Sequence, residues 1–170
     1  MMRLDMRTNT NRNEQIALES YSDADFAADK RDRKSLTGAI VLLNGMFVSW
    51  AAKKQGDVSF STMEAEFVAA SETARELLGI EKMLKEEGLT STQPMSMHVD
   101  NEATIRQIEG KTSFLKAKHI DVRLTFVIDF ACRGVVEMRY VRFVLMLADL
   151  LAKALDQHNL AELRPLVGLR

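Results

Sequence analysis

The chain has 170 residues, enough for one domain with its own hydrophobic core, and its formal net charge of −1 excludes a basic field over the whole protein. A single cysteine, Cys132, excludes an intramolecular disulfide. The three histidines are scattered and do not form the Cys and His cluster of a structural zinc site. No apolar run is long enough to span a bilayer, and the first residues lack the apolar block of a secretory signal. The composition therefore favours an intracellular protein, cytoplasmic or nuclear.

The first third of the chain predicts a disordered leader followed by three antiparallel strands. Residues 1–14 are polar and aperiodic, which is typical of a disordered segment. Alternation of apolar and polar residues begins at Ile16 and predicts a strand that ends at Asp23. Asn44-Gly45 is a strong hairpin signal between two apolar runs. The strands are expected at 16–23, 36–43 and 46–52.

The remainder alternates between helical and extended patterns. Ser61-Thr62 is a plausible helix start, and Gly88 a helix stop. Residues 95–99 form a short apolar strand that delivers Asp100. Further elements are expected as helices at 101–109, about 120–131, 147–155 and 159–166, with a strand at 135–141.

This order of elements predicts an α/β fold. A meander followed by helix-linked strands indicates a five-stranded mixed sheet with helices packed on it. The first, fourth and fifth strands would be parallel, with the first strand central. We expect residues 15–170 to form this single domain.

Four carboxylates stand at positions where burial is expected. Asp23 and Asp100 end apolar strands, Glu64 lies in the first turn of a helix, and Asp149 lies in an apolar helical setting. An unpaired buried carboxylate costs several kcal/mol (about 2–7 for a polar group), so bound metal ions are one compensation. Two divalent ions roughly 3.5–4 Å apart can activate a water and stabilise a leaving oxygen in phosphodiester hydrolysis.

Each acid also has a plain structural interpretation. An Asp at a strand end is usually a turn or cap residue, Glu64 could complement the helix dipole, and Asp149 could cap a helical turn. From the residues alone, the metal site and these local roles therefore remain alternatives.

An ordered series of short motifs resembles the ribonuclease H domain of copia-type retrotransposon Pol polyproteins. The motifs run from about residue 16 to the C-terminus, and the ordered series is more specific than any one block. They are YSDADF (21–26), DRKS (32–35), TG (37–38), VSW (48–50), KKQ (53–55), STMEAEF (61–67), VDN (99–101), KHID (118–121), YV (140–141) and LADLLAK (147–153).

The resemblance implies a ribonuclease H-like fold and metal-dependent cleavage of the RNA strand of RNA–DNA hybrids. It implies two Mg²⁺ ions, with Mn²⁺ as a substitute, and a reverse transcriptase domain as a partner. Carried over by position, the catalytic and metal-binding acids are Asp23, Glu64, Asp100 and Asp149. Asp25 and Glu66 are interpreted as supporting or structural residues.

Several polar residues are candidates for contact with the hybrid. Asn101, beside the third acid, could touch the minor groove or a phosphate. Lysines could follow the backbone phosphates, although a solvated surface explains them equally well. His119 could assist proton transfer or form a hydrogen bond at a helix start. The lysine candidates are Lys53, Lys54, Lys116 and Lys118.

The chain departs from the family in two notable places. Relatives usually have a proline and polar residues before the last catalytic helix, whereas this chain has the apolar segment Arg142–Met146. This segment could pack on a partner, extend the last strand or record decay, and it bears on the placement of Asp149. Phe26 replaces a tryptophan but keeps the apolar bulk.

Three hypotheses follow, in this order. The first is an active hybrid nuclease, part of or derived from a retrotransposon reverse transcriptase. The second is a catalytically impaired remnant, expressed alone, that binds nucleic acid without cutting. The third is a protein-interaction remnant in which Phe143, Val144 and Met146 form an exposed apolar patch.

Overall fold

The described part of the protein contains one five-stranded mixed sheet. The computed structural model describes residues 15–110 and 122–167, so the predicted leader at 1–14 lies outside the described residues. The strands are β1 (Leu18–Asp25), β2 (Leu36–Leu43), β3 (Met46–Lys54), β4 (Met95–Val99) and β5 (Val136–Tyr140). Their order across the sheet is β3-β2-β1-β4-β5, which places β1 at the centre as predicted.

Helices follow the strands in the predicted sequence of elements. They are α1 (Thr62–Glu86), α2 (Glu102–Glu109), α3 (Val122–Cys132), α4 (Asp149–Ala152) and α5 (Gln157–Leu166), with a 3₁₀ turn at Phe143–Leu145 before α4. Across the described ranges, no helix is both long enough and apolar enough to cross a membrane.

Strand pairing follows from the turn chemistry and the connections. β1 pairs antiparallel with β2, and β2 with β3, whereas β1–β4 and β4–β5 are parallel. Asn44 and Gly45 have φ of +48° and +78°, the left-handed values that a tight hairpin turn requires. The mixed sheet predicted from the sequence is therefore confirmed.

Both faces of the sheet are covered by apolar side chains. Val41 belongs to a large core with residues of α1 and α3, such as Leu77 and Ile128. Its neighbour Ile40 belongs to a second cluster with Leu147. Because successive side chains of a strand point to opposite faces, β2 joins the two cores. The second core fixes the chain around α4, which carries one of the candidate acids.

The segment Arg142–Met146, before α4, does not adopt all the structures that were predicted for it. It does not extend β5, because Phe143–Leu145 forms a 3₁₀ turn. Met146 is fully buried, so the predicted exposed patch of Phe143, Val144 and Met146 is wrong for Met146. The helix at 147–155 is shorter than predicted, because Lys153 already has extended backbone angles.

Candidate metal centre

Two of the candidate acids come from neighbouring parallel strands. Asp23 lies in β1 and is fully buried, and Asp100 directly follows β4. Tyr21 pairs with His98 in the β1–β4 ladder, so the two acids lie two residues further along each strand, at the same edge of the sheet. The carboxyl ends of parallel strands meet there, and the carboxylates are brought together as the sequence predicted.

A third acid reaches this edge from α1. Glu66 is buried, and its carboxylate also accepts a hydrogen bond from the backbone N–H of Ala24. Asp23, Glu66 and Asp100 each offer a carboxylate oxygen, and these atoms all lie within 4.8 Å of one another. We call these three residues the acidic trio.

Glu64 does not join the trio, which corrects the placement made from the sequence. Its Oε2 accepts a hydrogen bond from the backbone N–H of Phe60 at 2.6 Å, and its own N–H donates to the Ser61 hydroxyl at 3.1 Å. Glu64 therefore caps the start of α1. Glu66, interpreted from the sequence as a supporting residue, takes the position at the sheet edge.

The geometry of a helix explains this exchange. Two residues apart on an α-helix correspond to a rotation of about 200°, so Glu64 and Glu66 point in nearly opposite directions. Glu66 lies one and two turns before Ala70 and Thr73, which are fully buried. Its phase relative to these small buried residues is the sequence signal that identifies Glu66 as the inward-facing acid.

Asp149 lies beside Asp23, and a lysine bridges the two carboxylates. Asp149 begins α4 and is 1% exposed. The Lys153 ammonium donates to Asp23 Oδ1 at 3.0 Å and to Asp149 Oδ1 at 2.9 Å. The fourth predicted acid is thus next to the trio, and Lys153 is a neighbour that the sequence did not identify.

Close packing against β2 sets the position of α4. Gly38 pairs with Asp23 in the β1–β2 ladder. A Cβ atom at Gly38 would collide with the backbone oxygen of Ala148 and the side chain of Ala152. Together with buried Met146, this contact seats Asp149 next to the central strand, despite the apolar segment that precedes it.

Burial and mutual repulsion raise the pKa values of the carboxyl groups. Burial, reinforced by the charges of Asp23 and Asp100, raises the pKa of Glu66 to about 9. Burial raises the pKa of Asp23 to about 6, although Lys153 opposes the shift. Burial also raises the pKa of Asp100 and of Asp149. The site concentrates more negative charge than its surroundings stabilise.

The pKa of Lys153 is shifted so that its charged form is favoured. Burial disfavours its ammonium form, but the hydrogen bond to Asp149 and the charge of Asp23 outweigh burial, so the pKa of Lys153 is raised. The ammonium group is therefore charged at neutral pH, when it faces both carboxylates.

The donor set fits divalent metal ions. Asp23 Oδ2 and Asp149 Oδ2 are buried, and among the described residues neither oxygen has a donor other than a proton shared between the two carboxyl groups. Buried carboxylate oxygens are normally satisfied, so these two atoms point to a ligand with positive charge. Magnesium and manganese favour oxygen ligands, and the trio supplies three of them from three separate elements.

Asn101 has a local structural role at the rim of the cleft that the acids line. Its Oδ1 accepts hydrogen bonds from the backbone N–H groups of Ala103 and Thr104, at 3.0 and 3.2 Å, and so caps α2. Asn101 also lines the cleft beside Asp100, so it remains a candidate for contact with a ligand.

Two of the lysines selected from the sequence, Lys53 and Lys54, have other partners. Lys53 pairs with Glu72 at 3.0 Å, and Lys54 pairs with Asp29 and Asp32. Neither lysine lines the cleft. Lys116, Lys118 and His119 lie outside the described residues.

Arg106, Phe26 and Tyr140 also line the cleft, although sequence reasoning did not select them for binding. Arg106 projects from α2 and is largely exposed, with its guanidinium 3.4 Å from Glu102. Phe26 and Tyr140 add partly exposed aromatic rings. A cation and aromatic rings beside an acidic centre suit a ligand that has phosphates and stacking surfaces.

Gln55 connects β3 to the start of α1. Its side chain is buried and donates to the Thr37 hydroxyl at 3.1 Å and to the Ala65 carbonyl at 2.9 Å. Its oxygen accepts from the Ser59 hydroxyl at 3.1 Å. This network holds the helix turn that carries Glu66, and it gives Gln55 of the predicted KKQ motif a positioning role.

The curated proteins to which the chain is similar include Pol polyproteins from transposons. The chain is 31% identical over 152 residues to the retrovirus-related Pol polyprotein from transposon TNT 1-94 of Nicotiana tabacum, a match that covers 89% of this chain and 11% of that protein. It is 33% identical over 142 residues to the Pol polyprotein from transposon RE1 of Arabidopsis thaliana, covering 84% and 10%. The chain therefore spans about a tenth of the length of these curated relatives. No family model matches the chain.

A solved structure supports the fold. The N-terminal RNase H domain of Rv2228c from Mycobacterium tuberculosis, determined as a fusion with maltose binding protein, aligns with a TM-score of 0.58 and 14% identity, over 81% of this chain and 91% of that one. The chain thus has a ribonuclease H-like fold. It is homologous to one segment of copia-type retrotransposon Pol polyproteins, which confirms the resemblance inferred from its motifs.

Proposed function

We propose that the chain is a metal-dependent endonuclease that hydrolyses the RNA strand of RNA–DNA hybrids. The observation that carries this proposal is the convergence of Asp23, Glu66 and Asp100 within 4.8 Å, with Asp149 beside them. The likeness to Pol polyproteins supports it, and a reverse transcriptase domain is the partner that such a nuclease would serve.

Two Mg²⁺ ions, or Mn²⁺ ions in their place, would activate a water and stabilise the leaving oxygen of the phosphodiester. The acidic trio would hold the first ion. Asp23 and Asp149 would hold the second. Glu66 would bind as a carboxylate, so its proton must leave when metal enters. This set replaces Glu64 of the sequence-based proposal by Glu66.

The remaining cleft residues would position the hybrid. Arg106 would bind a backbone phosphate, because its guanidinium lies at the exposed rim of the cleft. Asn101 would place the nucleic acid beside Asp100, and Tyr140 and Phe26 would pack against sugars or bases. Such contacts fix the register of the backbone relative to the metal centre.

A cleavage assay tests the proposal. The protein is incubated with Mg²⁺ and an RNA–DNA hybrid labelled on its RNA strand, beside a DNA duplex of the same sequence. We expect cleavage of the hybrid only, and its loss in D23N and D100N. D29N serves as the control, because Asp29 lies on the surface and does not line the cleft. Equal, background-level cleavage by the wild type and the D23N and D100N variants would contradict the proposal.

A second candidate is binding of nucleic acid without cleavage. It is favoured by the engagement of Asp23 and Asp149 with Lys153, which satisfies part of the charge that metal would otherwise neutralise. This candidate predicts hybrid binding that weakens with salt, persists in a chelator and is accompanied by no cleavage.

A further inference from the structure

A lysine occupies the side of the site where Asp149 meets Asp23. The Lys153 ammonium is 3.0 Å from Asp23 Oδ1 and 2.9 Å from Asp149 Oδ1, and the side chains of both acids are 1% exposed. Lys153 itself remains 26% exposed. The ammonium is thus an internal counterion that is accessible from the cleft.

An aromatic ring also contacts this ammonium. Lys153 Nζ lies 5.2 Å from the centre of the Phe143 ring, within the range of a cation–π interaction. Phe143 belongs to the segment Arg142–Met146 that precedes α4 and begins the 3₁₀ turn there. The segment therefore contributes to holding the lysine over the two carboxylates.

We propose that Lys153 is a resident cation that competes with the second metal ion for Asp23 and Asp149. This inference rests on the proposed metal-dependent function and specifies how its second ion is admitted. The acidic trio accepts the first ion with Lys153 in place, because within the trio the lysine engages only Oδ1 of Asp23, and no N–H group of the described residues donates to Asp23 Oδ2. The second ion binds only when the ammonium leaves.

Electrostatics gives the reason for the competition. The ammonium is bound to the oxygens that the second ion needs, and its positive charge repels a divalent ion placed beside it. Removing the lysine both frees the two oxygens and removes this repulsion.

Manganese titration tests the competition directly. Metal-free wild type and K153Q are titrated with Mn²⁺, and the free ion is counted by electron paramagnetic resonance. We expect one ion to bind both proteins with similar affinity, and the second ion to bind K153Q at least about tenfold more tightly than the wild type. The matched control is K85Q, because Lys85 makes the same type of i,i+4 ion pair, at 2.6 Å, with the buried Glu81 of α1.

Thermal unfolding in a chelator provides a second measurement. K153Q leaves two buried carboxylates without a counterion, so we expect it to unfold at a lower temperature than the wild type and to gain more stability from Mn²⁺. The double variant D149N/K153Q removes one of the facing charges. It should recover stability in the chelator and bind one ion only, which keeps the test decisive even where K153Q folds only with metal.

The outcomes separate this inference from the proposed function. Equal affinity of the wild type and K153Q for the second ion overturns the competition, and hybrid cleavage by the wild type then leaves the proposed function standing. Two ions bound by D149N/K153Q as in the wild type also overturn it. Binding of no ion by any of the variants overturns both the competition and the metal-dependent function.

Discussion

Two places among the described residues combine two aspartates with one lysine, and the pKa values of their aspartates shift in opposite directions. Lys153 bridges Asp23 and Asp149 at 3.0 and 2.9 Å, and Lys54 bridges Asp29 and Asp32 at 2.6 and 2.7 Å. The surface group has the shorter contacts. Yet the pKa values of its aspartates are lowered, chiefly by the hydrogen bonds from Lys54, whereas burial raises those of Asp23 and Asp149.

The aspartates of the two groups therefore differ in their pKa shifts because of burial, and not because of the N–O distances of the ion pairs. The surface aspartates are 32% and 41% exposed and are stabilised by water as well as by lysine. The buried aspartates are 1% exposed and face further acids, so one ammonium cannot satisfy them. The buried group therefore retains unsatisfied negative charge, whereas the surface group does not.

The largest expected effect is the difference between substituting the buried Glu66 and substituting Glu64, which caps the same helix. E66Q should lower hybrid cleavage by at least about 10²-fold, since loss of residues that only support metal ligands typically costs 10–100-fold. E64Q should keep cleavage within a few-fold and lose at most about 1 kcal/mol of stability, because only a helix cap is weakened. Single-turnover cleavage rates and denaturant unfolding of both variants check this. The reverse order of effects would restore Glu64 to the site.

The buried acids and the surface aspartates should make the stability of the metal-free protein depend on pH in opposite directions. The folded state keeps the Glu66 proton up to pH about 9, whereas the unfolded chain loses it near 4.5. The resulting stability is fully present below pH 4.5 and is lost as the pH rises toward 9, with a slope of at most about 1.4 kcal/mol per pH unit. Asp23, raised from 3.8 to about 6, acts in the same direction.

Urea unfolding in a chelator between pH 5 and 8 measures this slope. E66Q should flatten the slope, and D29N should leave it in place. The lowered pKa values of Asp29 and Asp32 have the opposite sign, since their contribution is lost as the pH falls below the ordinary range of an aspartate. A stability that rises from pH 5 to 8 without metal would contradict the assignment of Glu66.

Replacement of Gly38 by alanine should displace Asp149, although Gly38 carries no charge of its own. G38A places a methyl group against Ala148 and Ala152, so α4 must shift together with Asp149. Overpacking of this kind costs about 1–3 kcal/mol. Melting temperature, and Mn²⁺ affinity as a measure of the acid geometry, check the effect. G56A is the control, because no atom lies within 4 Å of a Cβ placed at Gly56. Equal behaviour of the two variants would argue against the close contact.

The smallest effect is expected at the surface group. K54Q removes the bridge to Asp29 and Asp32, but water and salt replace it, so melting temperature and cleavage should change little. K53Q, which removes the pair with Glu72, serves as a second surface variant. A loss of hybrid binding in K54Q alone would return that lysine to the nucleic-acid interface.

The sequence was sufficient for the architecture because local patterns encode it. The turn at Asn44-Gly45 and the apolar runs beside it predicted β2 with its observed bounds. Asp100 directly follows β4 as predicted, whereas β1 continues to Asp25, two residues beyond its predicted end at Asp23. The exchange of Glu64 for Glu66 arose because both acids stand in one motif, and only the phase of the helix relative to the sheet separates them. The helical spacing from Glu66 to Ala70 and Thr73 carries that phase, but a match to the motif alone does not use it.

Lys153 could not be identified in this way. Its partner Asp149 lies one helical turn away, but its partner Asp23 is 130 residues distant, and nothing in the composition links them. The same holds for Gly38, whose importance comes from the approach of α4. Sequence reasoning missed Lys153 and Gly38 because their roles depend on contacts between segments that are distant in the chain.

The origin of the four acids also bears on how the protein is made. Asp23 belongs to the first strand, whereas Asp149 begins α4 and Lys153 directly follows it, after the last strand of the sheet. During synthesis, the early strands and α1 emerge long before the segment that completes the cluster. Because contacts between distant residues form late and slowly, the cleft acquires its full charge only when the chain has closed over the sheet. A ribosome-bound fragment that ends before α4 should therefore carry the acidic trio without its lysine.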